Sequence, residues 1–311
     1  MKLHLFNLFH LGDLFFNRPI VQNIVTSNPS CEVHMYCLYN FAMFQDIPGL
    51  TVHRAQTHPE WYILRNNMPF FKIDDDTIAV NLWIATLFMN ASSGYTQDQI
   101  ECQFYNYQIA LSNVFRSMMG YMNVSLSLSI LNKMELIPTL PPVPMDTFTA
   151  WHQDHMNSRL VFYYNYNPKS GQPVSFSDHT PILIRLTTEY PDTFFLVPSA
   201  GPELSSIRNI IDCEKEFGYG PVESGENAIQ LSNVADVCDY SIHFDVGACF
   251  YYLNRNLYHS KHTVLHVAIH DYYYRKLVSN FPIEDPVRNK IRYIQTKNDC
   301  VPLLNALRDS S

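Results

Sequence analysis

The sequence predicts an α/β protein in two halves, each built on a parallel sheet. Three observations predict it. Strand-like apolar runs alternate with segments of helical period in both halves. A proline-rich stretch separates the halves. The length of 311 residues suits about two domains at roughly 150 residues each.

The first half opens with an apolar run, Leu3 to Phe9, read as a strand. A break follows at His10-Leu11-Gly12-Asp13. Leu14, Phe15, Ile20, Val21, Ile24 and Val25 then fall at helical spacing, and Asn28-Pro29-Ser30 ends the segment. Cys31 to Leu38 alternates as a strand does. Strand, tight turn, helix, strand is the repeating unit of a parallel sheet. Thr77 to Trp83 reads as a further strand, and Gln97 to Met119 as a long helix. Residues 137–148 hold four prolines, which deny backbone donors to helix and sheet alike. The domain boundary is placed here, giving 1–145 and 146–311, with an amphipathic stretch at 149–158 close behind.

The second half repeats the grammar. Arg159 to Tyr166 is a strand, and 167–171 a turn. Pro181 to Glu189 is a short helix with Asp178 as its N-terminal cap. Thr193 to Pro198 is a strand, Leu231 to Cys238 a helix, and Tyr240 to Phe244 a strand. Gly247 to Leu253 is a helix, and Val264 to Ile269 a late strand. Two such halves suggest facing Rossmann-like domains, with ligand in the cleft beyond the carboxyl ends of the strands.

Composition excludes several classes. Apolar residues are 47% and charged ones 16%, the reverse of what disorder requires. The net charge of −8 disfavours general nucleic-acid or anionic-membrane binding, which needs clustered cations. His4, Asn7, His10 and Asp13 interrupt the apolar start, so it is read neither as a signal peptide nor as a membrane span. Seven cysteines without a CxxC pair fit reduced thiols and a cytoplasmic setting.

Three loops could carry chemistry. In the first, Gly12 permits close ligand approach beside His10, and Asp13 is placed either to take a proton from a hydroxyl or to cap the next helix. In the second, Asn165, Lys169, Ser170 and Gly171 offer a cation and backbone amides to a diphosphate, or form an ordinary polar turn. The third is the turn Asp245-Val246-Gly247, entering a helix, where Asp245 reaches a ribose or sugar hydroxyl or serves as a cap. His259, His262, His266 and His270 are spaced for one helix face, but Thr263 to Ile269 reads better as a buried strand, so no metal site is assigned. His152 and His155 read as surface or linker residues, Asp74-Asp75-Asp76 as a solvated turn, and Tyr272 to Tyr274 as packing.

The opening HLGDLFFNRPIV resembles the first loop and helix of the heptosyltransferase-type glycosyltransferases, and LSNVADVCDYSIHFDVG resembles their donor-site stretch. The resemblance implies a GT-B fold, with acceptor bound mainly by the first domain and a nucleotide-sugar by the second. It implies inversion at the anomeric centre, no cofactor, and no metal for holding the diphosphate. Asp13 then matches the family's catalytic base, Asp245 and Gly247 its donor-site Asp-x-Gly, and Lys169 falls near a basic residue that steadies the diphosphate. Phe250 stands where the family has His. That departure keeps open a non-catalytic descendant that binds carbohydrate or a partner. A different nucleotide-binding α/β enzyme is a third reading, although no glycine-rich fingerprint is present.

Overall fold

The computed structural model describes residues 1–8, 11–38, 41–55, 68–82, 116, 118–120, 125–129, 131, 135, 137–166, 173–220, 226–244, 252–271, 274–275, 278 and 285–309, with backbone only at 11–13 and 41. The chain divides into two compact units, Met1–Pro142 and Val143–Ser311. No helix among the described residues is long and apolar enough to cross a membrane.

The first unit runs β1 (Lys2–Asn7), α1 (Leu11–Ser27), β2 (Glu32–Cys37), β3 (Leu50–Arg54), β4 (Phe70–Lys72) and β5 (Thr77–Asn81). Its sheet has the order β3-β2-β1-β5-β4. β1 pairs in parallel with β2 and β5, and β2 with β3, while β4 returns antiparallel to β5. Asp74 to Asp76 lie in the turn between β4 and β5. Lys72 Nζ meets Asp75 there at 2.7 Å, and Asp76 N donates to Asp74 Oδ1, so the acidic run is a solvated turn.

α1 begins at Leu11. The expected loop is therefore shorter, and Gly12 and Asp13 belong to the first helical turn. Glycine is costly in a helix interior but less so at its start, and an acidic residue there favours the helix dipole. Arg18 fixes the helix from its middle. Its guanidinium, 5% exposed, donates to both oxygens of Asp46 at 2.7 Å, to Thr139 O at 2.6 Å, and to Met43 O. These bonds use four of the five guanidinium N–H groups; a buried cation paired in this way costs little, but one stripped of its carboxylate costs much. Asp46→Ala is expected to destabilise the first unit by about 3 kcal/mol in urea denaturation. A change below about 0.5 kcal/mol, the usual effect of a neutral surface substitution, would contradict this role for Arg18.

The second unit runs α2 (Asp146–Asp154), β6 (Arg159–Tyr163), α3 (Thr180–Glu189), β7 (Thr193–Val197), β8 (Ile210–Asp212), α4 (Cys213–Phe217), α5 (Glu226–Val237), β9 (Tyr240–Phe244), β10 (Thr263–Ala268), β11 (Ile291–Gln295) and α6 (Val301–Arg308). Its strands pair in parallel in the order β11-β10-β9-β6-β7-β8. Numbered within the unit this is 3-2-1-4-5-6, the doubly wound dinucleotide-fold order. Central strands buried on both faces read as continuous apolar runs, and Leu160 to Tyr163 is such a run. One face packs Val161, Tyr163, Ile242, Phe244, Leu265 and Val267 against Leu183, Leu186, Leu303 and Leu307 of α3 and α6.

Several elements depart from the sequence reading. α5 starts at Glu226 rather than Leu231, and β6 stops at Tyr163. The N-cap of α3 is His179 rather than Asp178, which lies one residue earlier and accepts from Thr180 N at 2.9 Å. The strands β3, β4, β8 and β11 and the helices α4 and α6 were not expected. The helix expected at 97–119 lies mostly outside the described residues; 116 and 118–120 are helical. The helix expected at 247–253 also lies mostly outside them.

Candidate functional site at the carboxyl edge of the second sheet

In an open parallel sheet the chain leaves every strand at the same edge. Where successive crossovers diverge to opposite faces, the loops part and leave a crevice. In the second unit this point lies between β6 and β9. The loop after β6 carries Asn165, Lys169, Ser170 and Gly171, and the loop after β9 carries Asp245 and Gly247. Of these, only Asn165 is among the described residues. In the first unit the equivalent point lies between β1 and β5. The loop there carries His10, outside the described residues, and opens α1, whose first turn holds Gly12 and Asp13. Asn7 Nδ2 donates to Asn17 Oδ1 at 2.7 Å, with both residues fully buried. This bond ties the end of β1 to α1 and so places that first turn.

Around the β6–β9 point the packing is aromatic and uncharged. Tyr163, Phe176 and His179 surround Phe244, with ring centroids at 5.4, 5.8 and 4.7 Å. Tyr163 Oη and His179 Nδ1 share a hydrogen bond of 2.9 Å. Burial lowers His179 to about 4 and raises Tyr163 well above its usual range, so both are neutral at pH 7. They hold the segment that leads from the loop after β6 into α3. At the end of the outer strand β8, Asp212 caps α4 through Glu214 N and Lys215 N and also accepts from Ala200 N at 3.0 Å.

Asn165 is anchored from one side. Its Nδ2 donates to Ser199 O at 2.7 Å, which fixes the amide orientation, since a carbonyl only accepts. Its Oδ1 is buried with no hydrogen-bond partner. On the opposite face of β9, His243 lies between Tyr252, 4.1 Å away and stacked, and Tyr164, at 6.2 Å. It is 3% exposed, and neither ring nitrogen has a hydrogen-bond partner. Burial, reinforced by His262 and His266, holds it well below the usual imidazole range. The sequence reading overlooked His243. The signal was there: Ser241 and His243 are alternate polar residues in a strand otherwise apolar on both faces.

The late histidines form no helix face. His266 lies in β10, with Nδ1 at 3.1 Å from Tyr252 Oη, and His259 and His270 are exposed. His262 is fully buried, with both nitrogens unpartnered. His155 stacks on Trp151 at 4.1 Å, and Tyr274 on Tyr293 at 5.2 Å, so both are packing residues. On the first sheet, His34 Nδ1 meets His53 Nε2 and His34 Nε2 meets Glu32 Oε1, both at 2.9 Å. Among the described residues no group of three His, Cys, Asp or Glu side chains is placed to hold a metal ion.

No family model matches the chain, and no curated protein matches it. Solved structures do. The glycosyl transferase family 9 structure from Veillonella parvula DSM 2008 is 12% identical, with a TM-score of 0.50 over 99% of this chain and 89% of that one. The fold is that of a family 9 glycosyltransferase. The E. coli heptosyltransferase WaaC with ADP-2-deoxy-2-fluoro heptose is 11% identical (TM-score 0.45), and E. coli ADP-heptose lps heptosyltransferase II is 9% identical (TM-score 0.41). Both are matched over 100% of both chains.

The buried histidines make the stability of this unit depend on pH. Burial and the nearby Lys290 lower His262 from 6.5 to about 4. The unfolded chain takes the proton first, so the stability is complete above pH 6.5 and is lost as pH falls towards 4. Asp236, raised from 3.8 to about 7 by burial, acts in the opposite sense, gaining stability as pH falls through 7. His262 and His179 together outweigh it. His262→Phe keeps a ring of similar size in this buried position, and it is expected to flatten the loss between pH 6.5 and 4 by about 1.4 kcal/mol per pH unit. Denaturation curves across that range check this, and an unchanged slope would contradict it.

Proposed function

We propose that the chain is a glycosyltransferase that moves a sugar from a nucleotide-sugar to a hydroxyl of a glycan or other acceptor, with inversion. The observation that carries this is the 3-2-1-4-5-6 strand order of the second unit, whose reversal point is flanked by the loops bearing Lys169 and Asp245. The fold likeness to a family 9 glycosyltransferase supports it. In this reading the second unit takes the donor and the first the acceptor, as in the family that the sequence resembles.

The acceptor oxygen attacks C1 of the donor sugar. The C1–O bond to the diphosphate breaks, and the bonding pair leaves with the diphosphate. Asp13 takes the acceptor hydroxyl proton as the new bond forms. Lys169 and the loop amides at Ser170 and Gly171 stabilise the charge gathering on the diphosphate, so donor binding needs no metal. Asp245 holds a sugar or ribose hydroxyl, with Gly247 allowing close approach. The described cysteines Cys31, Cys37, Cys213, Cys238 and Cys300 are free thiols, which supports a cytoplasmic setting.

Phe250, in place of the family's His, favours a second reading in which the fold binds carbohydrate or a partner without chemistry. A thermal-shift screen across nucleotide-sugars, followed by a transfer and hydrolysis assay, separates the two. A cognate donor raises the melting temperature, because it binds only the folded state. Asp13→Asn is expected to keep that shift while lowering transfer about 10²- to 10⁴-fold. Full activity in Asp13→Asn, or no shift with any donor, would contradict the proposal.

A further inference from the structure

One face of the first sheet bears a row of polar rings. His4, His34, Tyr36 and His53 lie on it, from β1, β2 and β3, and each is partly exposed. The other face of β1 and β2, with Leu3, Leu5, Val33 and Met35, is buried. The rings touch one another. Tyr36 stacks on His53 at 4.4 Å, His53 on His34 at 5.1 Å, and His4 meets His34 edge-on at 5.0 Å. Glu32 Oε1, His34 and His53 form a hydrogen-bonded chain whose two links are both 2.9 Å long. The chain joins the outer strand β3 to β2 by side chains alone. None of its members belongs to the loops assigned above to the ligands.

Hydrogen-bond direction fixes how many protons this chain can hold. The Glu32 carboxylate only accepts, so His34 Nε2 carries a proton. One proton fits between His34 Nδ1 and His53 Nε2. With both rings neutral, His34 has no second proton, and His53 Nε2 donates. A first added proton enters at His53 Nδ1, and the shared proton can then pass to His34 Nδ1. The cation rests on His34, against Glu32, with both hydrogen bonds kept. A second added proton puts hydrogen on all four ring nitrogens. His34 Nδ1–H and His53 Nε2–H then face each other, two donors on two like charges, and their bond is lost. We propose that Glu32, His34 and His53 form an acid-released clip between β2 and β3, which holds through the first proton and opens with the second.

The neighbouring groups among the described residues are Lys2 and His4 on β1, Tyr36 on β2 and Asp74 in the turn before β5. Lys2 Nζ lies 3.4 Å from the other oxygen of Glu32. The hydrogen bond from His34 holds Glu32 below its usual range, so it remains an acceptor while the rings take up protons. Burial, then His34 and His53, lowers His4 to about 4, with Asp74 acting in the opposite sense. Burial and His34 lower His53 as well, and burial keeps Tyr36 neutral. A histidine lowered in the folded chain is protonated first in the unfolded one, so its stabilisation is complete above pH 6.5 and is lost as pH falls. The clip operates whether or not the chain transfers sugar.

Imidazole nitrogen shifts of the full chain, followed by NMR from about pH 8 to about pH 4, test this, together with hydrogen exchange of the β3 amides. The expected result is two steps of proton uptake by the His34–His53 pair, about tenfold or more apart in proton concentration. Amide protection in β3 survives the first step and falls about 10- to 100-fold through the second, as loss of one charge-assisted hydrogen bond requires. In His53→Phe, which keeps a ring against Tyr36, His34 titrates in one step and β3 protection loses that pH dependence. If this variant does not fold, the wild-type measurements decide alone. A single shared step, loss of β3 protection at the first step, or a second step that leaves β3 protection unchanged would overturn the clip. So would an equal fall in folded His53→Phe, or unfolding of the whole unit before the second step.

Discussion

Parallel pairing is the constraint from which the rest follows. Every strand of the second sheet ends on one edge, so every βα loop emerges there. The crossovers after β6 and β9 go to opposite faces, and the sheet cannot close over the gap between them. The fold thus fixes where a ligand enters before any side chain is considered. The first unit obeys the same rule between β1 and β5, with an antiparallel β4 closing its edge.

The interior near that edge is polar but uncharged. His179, His243 and Tyr163 are buried in their neutral forms, and rings rather than ion pairs hold the strand ends together. A neutral lining discriminates by hydrogen-bond direction, because an unmatched buried donor or acceptor loses its full solvation. The firmest ion pair in the described structure, Arg18 with Asp46, serves α1 and not the ligand edge.

The α/β class was legible because buried parallel strands leave apolar runs, such as Leu160 to Tyr163, that few other structures explain. β3, β8 and β11 were not. Leu50 to Arg54 and Ile291 to Gln295 are outer strands with mixed polarity, and Ile210 to Asp212 is three residues long. α6 was hidden by Pro302, which marks a first helical turn as readily as a break. The position of Gly12 and Asp13 was legible to within one turn: they fall in the first turn of α1 rather than in a loop before it. The loops holding Lys169 and Asp245 could be placed by their strands alone. His243 was within the quoted donor-site stretch, but only the knowledge that β9 is buried on both faces makes a histidine there conspicuous.

The most direct measurement is a crystal structure of the chain with a bound nucleoside diphosphate. The account predicts density beyond the carboxyl ends of β6 and β9, with the phosphates against the loop of Lys169. Ordered density at the opposite edge of that sheet, or on a helical face, would contradict it.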